Sequence, residues 1–151
     1  MLELLPGLPI YAVDQKIKEE CEEKLESGKS KDILGGHARL ILHHNYGSAG
    51  NMGAGNPKRV KIISVVLTMV VAATFAFSVF DGWNRAIKCG LSLVLGGAFS
   101  NTYDRLKHGY VIDYIGFNHG PQSIRRLIWN IADFSIIIGA IIAVMSGSKD
   151  M

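Results

Sequence analysis

The chain has 151 residues, 48% hydrophobic and 19% charged, with 16 Lys and Arg against 13 Asp and Glu and a formal charge of +3. That length fits one domain, and no dense basic face interleaved with aromatics is present, which argues against nucleic acid as a partner. Mean hydropathy is +0.22, and it is the distribution of apolar residues, more than their total, that points to a membrane protein.

Residues 1–13 are apolar but short. As helix they reach only about 20 Å, against a hydrocarbon core of about 30 Å. Glu3, Pro6 and Pro9 disfavour a full span, and the basic start of a cleaved signal peptide is missing. A short or truncated first membrane helix, or an interfacial segment, is expected. Residues 14–29 are polar, with Ile17, Cys21 and Leu25 forming a thin helical stripe and Gly28 a stop. Residues 39–45 are β-prone, Tyr46-Gly47 turns the chain, and 47–57 read as loop. Residues 62–80 carry no charge, 86–103 carry only Lys88, and 127–148 carry only Asp133. Each run approaches or reaches the roughly 20 residues of a membrane helix, without the polar face of a soluble bundle. Residues 104–126 form a second polar excursion with Gly109, Gly116, Gly120 and Pro121. The expected fold is an all-α membrane protein: a four-helix transmembrane bundle, its first helix short or truncated, with a small extracytoplasmic β/loop subdomain formed by 14–61 and 104–126.

Connectivity places the chemistry. Two crossings separate segments 14–61 and 104–126, so both lie on one side of the membrane. Asp113 sits in the second excursion and Asp133 near the start of the last helix, so the two can meet at one face, with Asn45 arriving from the other excursion. Two carboxylates at close range share a proton: the charged one deprotonates water, and the neutral one hydrogen-bonds the scissile carbonyl. A loop aspartate such as Asp113 also serves in turns, whereas a carboxyl inside an apolar helix, as at Asp133, is a functional candidate by default. Asn101, Asp104 and Arg105 close the third apolar run, where they either orient substrate or meet water at an interfacial helix end. Asn130, three residues before Asp133, shares its face. Other chemistries lack their patterns: there is no H-E-x-x-H, no G-x-S-x-G, and adjacent His43 and His44 point to opposite faces of a strand. Cys21 and Cys89 lie far apart and read as two isolated thiols. No metal or cofactor is expected.

At these residues the chain resembles the lipoprotein signal peptidases, signal peptidase II of bacteria. The family block G-x-x-x-N-x-x-D-R-x-x-x-G-x-V-x-D is complete from Gly97 through Asn101, Asp104, Arg105, Gly109 and Val111 to Asp113. The later F-N-x-A-D block reads Trp129-Asn130-Ile131-Ala132-Asp133. The early D-Q-x-[ST]-K block reads Asp14-Gln15-Lys16-Ile17-Lys18, and N-x-G-A-A-F reads Asn45-Tyr46-Gly47-Ser48-Ala49-Gly50. The resemblance implies a membrane aspartic endopeptidase that removes signal peptides from prolipoproteins before a diacylglyceryl-modified cysteine. Its partners are then the lipid-modified prolipoprotein and membrane lipid. It implies Asp113 and Asp133 as the catalytic pair, and Asn45, Gly47, Asn101, Asp104, Arg105, Asn130 and Ala132 as supporting residues. Asp14 and Lys18 form a structural or substrate-side pair. It also implies a multi-pass protein of the bacterial inner membrane whose active site faces outward. That orientation leaves Arg85, Lys88 and Lys149 inside and the other Lys and Arg residues outside, the reverse of the positive-inside bias. The alternative is a non-catalytic membrane protein on the same scaffold that binds lipoprotein or lipid.

Overall fold

The structure, a computed structural model, describes residues 6–26 and 28–147. Residues 1–5 of the short apolar N-terminal run therefore lie outside the described residues. Four long helices, α1 (Gly7–Lys24), α2 (Pro57–Phe80), α3 (Arg85–Lys107) and α5 (Ile131–Gly147), accompany the short helix α4 (Gln122–Arg125). Strands β1 (Ser30–Ile33), β2 (Ala38–Asn45), β3 (Val111–Phe117) and β4 (Ile128–Trp129) form one antiparallel sheet in the order β1-β2-β3-β4.

Residues 7–24 form one continuous helix, not an apolar piece followed by a separate polar one. Pro9 occupies its third position, where the backbone N–H has no intrahelical acceptor, so the missing donor costs no bond. The helix stops at Lys24, short of the expected Gly28. Its buried face is Asp14, Lys18 and Cys21, not the Ile17-Cys21-Leu25 stripe. Hydrophobic periodicity misses that face because two of its residues are charged.

Helix α2 starts with Asn56, whose side chain accepts from Arg59 N at 3.1 Å, and with Pro57 at the first position. It is the one helix among the described residues long and apolar enough to cross a membrane, with a mean hydropathy of 2.4 over its best window and little of that window buried. Ile62, Leu67, Met69 and Val70 face outward. Asp81–Asn84 turns the chain into α3, where Asn84 caps by accepting from Ala86 N at 2.8 Å. Helix α5 is apolar but has 17 residues, roughly 26 Å at 1.5 Å per residue.

Helix α3 is the hub, because its small residues let three helices approach. A Cβ on Gly90 would lie 2.6 Å from Gly139 O on α5, and one on Gly97 would collide with Ala132 O. On another face Gly96 meets the backbone of Gly7 on α1, where Gly7 N also donates to Ser92 Oγ at 3.1 Å. Such contacts, with hydroxyl pairs such as Thr68–Thr102 at 2.8 Å between α2 and α3, are how helices hold together without a hydrophobic drive between them.

The sheet sits at the C-terminal end of α3. Gly109, at φ +86°, makes the turn from α3 into β3, and Asp104 Oδ2 accepts from Ile112 N at 3.2 Å, fixing the strand to the helix end. Strand β3 thus runs through the middle of the polar excursion 104–126, where the sequence carries no strand signal of its own. Val111 to Tyr114 are all buried, so the alternation that marks a half-buried strand is absent.

Candidate active site

Asp113 lies on β3 opposite His43 of β2, and Asp133 lies in the first turn of α5. Both line a cavity of ≈ 190 Å³, together with Asn45, Asn101, Arg105 and Trp129. The sheet delivers one carboxylate and the helical core the other.

Asp133 is fixed by its own helix. Asn130 is the N-cap: its Oδ1 accepts from Asp133 N at 2.9 Å, and Asp133 Oδ2 accepts from Asn130 N at 3.1 Å. This reciprocal pair is a capping box with Asn and Asp in its two places. The Asn130 side chain also donates from Nδ2 to Asp113 Oδ1 at 2.8 Å. One residue therefore touches both carboxylates and sets their separation. Asp113 Oδ2 accepts from Asn45 Nδ2 at 3.0 Å, and Asn45 Oδ1 accepts from Gly47 N at 3.0 Å.

Asp133 Oδ1 accepts from Asn101 Nδ2 at 2.9 Å. That amide cannot turn over, because Asn101 Oδ1 receives Lys18 Nζ at 3.0 Å and Asn130 Nδ2 at 3.1 Å. Ammonium only donates, so Lys18 dictates which end of Asn101 faces Asp133.

Lys18 itself is 1% exposed and lies between Asp14 Oδ2 at 2.7 Å and Asp104 Oδ2 at 2.8 Å. Tyr114 Oη donates to Asp14 Oδ1 at 2.8 Å, Ser100 Oγ to Asp14 Oδ2 at 2.6 Å, and Gln15 Nε2 to Asp104 Oδ1 at 2.8 Å. Ala132 N donates to Asp14 Oδ1 at 3.3 Å. Of the sequence candidates, Asp14, Lys18, Asp104 and Ala132 thus lie behind the cavity as a buried ionic support, and the structural alternative for Asp14 and Lys18 is the one their placement fits. Gln15, Ser100 and Tyr114 belong to this support and were not singled out. Gln15 and Ser100 fall inside the quoted motifs, and Tyr114 follows Asp113, but no pattern marks a hydroxyl as a partner for a buried carboxylate.

Arg105 donates from Nη2 to Gly47 O at 2.8 Å and from Nη1 to Asn101 O at 3.3 Å, tying the loop after β2 to α3 beside the cavity. Lysine cannot hold two carbonyls from one planar fork.

Asp113 is 2% exposed. Burial pushes its carboxyl up from 3.8 to about 7, and the Asp133 charge adds to the rise, while hydrogen bonds from Asn45 and Asn130 and the Lys18 charge oppose it. A folded state that holds this proton above the unfolded value loses stability as pH rises between those values, because the unfolded chain releases the proton first. Stability of the detergent-solubilised protein should therefore fall from about pH 4 to pH 7 through this group. Chemical denaturation across that range should show the fall in wild type and a flatter profile in Asp113→Asn; equal slopes would remove Asp113 as the source.

Three histidines serve elsewhere: His44 Nε2 lies 2.9 Å from Glu22 Oε2 and its ring stacks on Tyr110, and His119 packs on His37. His43, opposite Asp113 on β2, lines an adjoining cavity with Asp113 and Asn45.

A helical bundle faced with apolar side chains, with two carboxylates lining one cavity beside a small sheet, fits a class: membrane enzymes of the aspartic-peptidase type. Comparison with known proteins narrows the class. Residues 8–148 match the family model for signal peptidase II, and the chain belongs to that family. A lipoprotein signal peptidase of Brucella ovis is 35% identical over 133 residues, 85% of this chain and 78% of that one. One from Moorella thermoacetica is 29% identical over 139 residues, 92% of this chain and 87% of that one. Two bacterial membrane enzymes solved by the in meso method share the fold. One has a TM-score of 0.82 at 24% identity, covering 95% of this chain and 85% of its own. The other has a TM-score of 0.80 at 26% identity, covering 96% and 91%. The mostly helical architecture with a small antiparallel sheet is that of these structures.

Proposed function

We propose that this chain is the aspartic endopeptidase that removes signal peptides from bacterial prolipoproteins, cleaving before the diacylglyceryl-modified cysteine, with Asp113 and Asp133 as its catalytic residues. The observation that carries the assignment of the pair is Asn130, which hydrogen-bonds both carboxylates at the wall of one cavity. Asp113 holds the shared proton and Asp133 is the charged partner. Asp133 takes a proton from water, and the oxygen adds to the scissile carbonyl while Asp113 hydrogen-bonds the carbonyl oxygen. Collapse of the tetrahedral adduct breaks the C–N bond, and the amine leaves with a proton returned by the pair. No covalent acyl-enzyme forms. Asn45, Asn101 and Asn130 keep the carboxylates oriented throughout.

In this reading α1, α2, α3 and α5 form the transmembrane bundle, multi-pass in the inner membrane. The sheet and both polar excursions lie on the extracytoplasmic side, where a lipidated cysteine is presented. Support comes from the apolar outer face of α2 and from the position of both carboxylates at the sheet end of the bundle.

The test is incubation of purified protein with a diacylglyceryl-modified prolipoprotein and with its unmodified form. Mass spectrometry should find a mature product beginning at the lipidated cysteine, and none from the unmodified substrate. Binding of the lipidated form without cleavage would favour a lipoprotein-binding protein on this scaffold. Arg105→Lys should lower the cleavage rate about 10- to 100-fold, the scale of a misplaced positioning group, with the folded fraction unchanged. A wild-type rate in the folded variant would reduce Arg105 to an interfacial charge.

A further inference from the structure

A second cavity lies at the Phe117 end of β3. It has a volume of ≈ 340 Å³ and is lined by Arg39, Phe117, Asn118, Gln122, Arg125 and Arg126. Arg39, Arg125 and Arg126, from two distant parts of the chain, all line it, and among the described residues no carboxylate does. Like charges are not gathered in one concavity without a cost unless an anion answers them.

Their hydrogen bonds leave that capacity unspent. Arg39 donates once, from Nη1 to Asn118 Oδ1 at 3.2 Å, and its Nε is buried without a partner. Asp32 faces Arg39 in the β1–β2 register, but it accepts from Asn118 Nδ2 at 3.1 Å, and no ion pair joins it to Arg39. Among the described residues neither Arg125 nor Arg126 makes an ion pair or a side-chain hydrogen bond. The cluster also has a built floor. Gly116 lies beneath Arg39, where a Cβ would stand 3.0 Å from its Nε.

We infer that Arg39, Arg125 and Arg126 form a binding site for the phosphate of an anionic phospholipid headgroup. Planar guanidinium groups bind phosphate oxygens bidentately, and basic clusters beside a membrane helix attract anionic lipid. The lipid source is argued from position. Arg125 and Arg126 stand directly before Leu127, Ile128 and Trp129, which lead into the apolar helix α5. An acyl chain can follow the exposed apolar face of α5, at Ile138 and Ile141, while the headgroup meets the arginines. Arg126 also lines a further cavity that it shares with Asp113 and Asn45, so the bound lipid would stand beside the carboxylate site. The site gives the basic surface on the sheet side a partner, whatever the catalytic role of Asp113 and Asp133.

Native mass spectrometry of the full-length protein, delipidated in detergent, tests this with phosphatidylglycerol, phosphatidylcholine and inorganic phosphate as probes. One phosphatidylglycerol should be retained in preference to phosphatidylcholine. Arg125→Gln combined with Arg126→Gln should weaken that retention about tenfold or more. Both side chains are exposed, so the double variant should keep its fold, as circular dichroism would verify. Arg39→Gln should weaken it further. Equal retention of the two lipids, or undiminished retention by the folded double variant, would overturn the site. Inorganic phosphate binding as tightly as phosphatidylglycerol would overturn the lipid assignment, as would an acidic peptide displacing it at equal concentration.

Discussion

Asp113→Asn and Asp133→Asn should each lower cleavage at least about 10³-fold in protein that stays folded and membrane-inserted. The amide preserves the shape of the carboxyl but cannot accept a proton from water or return one. Each substitution also alters its neighbours. Asn at 113 turns an NH₂ toward either Asn45 or Asn130, both of which now donate to Asp113. Asn at 133 weakens the capping box at the start of α5. These losses are structural and of the order of 1 kcal/mol each, too small to account for the expected rate change. The double variant should be little slower than either single one, because groups that act as a unit are not additive. Single-turnover assays of all three variants measure this. A folded single variant with a tenth of wild-type activity or more would remove that aspartate from the chemistry.

Lys18→Met should be the most destabilising single change, by about 3–5 kcal/mol, the cost of leaving buried carboxylates without their cation. Asp14 and Asp104 both lose their ion pair, and Asn101 loses the donor that fixes its orientation. Adding Asp14→Asn to Lys18→Met should recover part of the loss, since it removes one of the stranded charges. Thermal unfolding in detergent reads both effects. A Lys18→Met protein as stable as wild type would mean that this ionic core is a bystander. If the folded variant were stable but inactive, Lys18 would act on the site itself, through Asn101 or through its charge on Asp113.

Asp133 was legible in the sequence because a carboxyl in an apolar run stands out, whereas Asp113, in a polar excursion where it could equally serve a turn, was marked by the family block. Their convergence followed from counting crossings. Asn130 was legible as a residue on the face of Asp133, but its double role was not, because it depends on β3 lying against the start of α5. The sheet was legible only in β2, where 39–45 are β-prone. Strand β3 carries no alternation because it is buried on both faces. The continuity of α1 was obscured by Pro9, which is tolerated only because of its place in the first turn. The support behind the site was the least legible part. A lysine at 1% exposure between two carboxylates looks, in sequence, like any solvated i,i+4 pair on a polar helix. The arginine cavity escaped for a related reason: Arg39 and Arg125 lie far apart in the chain and meet only through the sheet.

In the proposed mechanism Asp113 and Asp133 share one proton while one of them activates water. The pH dependence of single-turnover cleavage of a lipidated prolipoprotein tests it most directly. The rate should follow a bell whose two limbs belong to the coupled pair. The basic limb should lie near pH 7, where Asp113 gives up its proton, and the acidic limb should lie where both carboxyls are protonated. A rate that rises steadily through pH 7 and stays high to about pH 9, as a fully ionised base would give, would contradict the shared proton and with it the assigned roles.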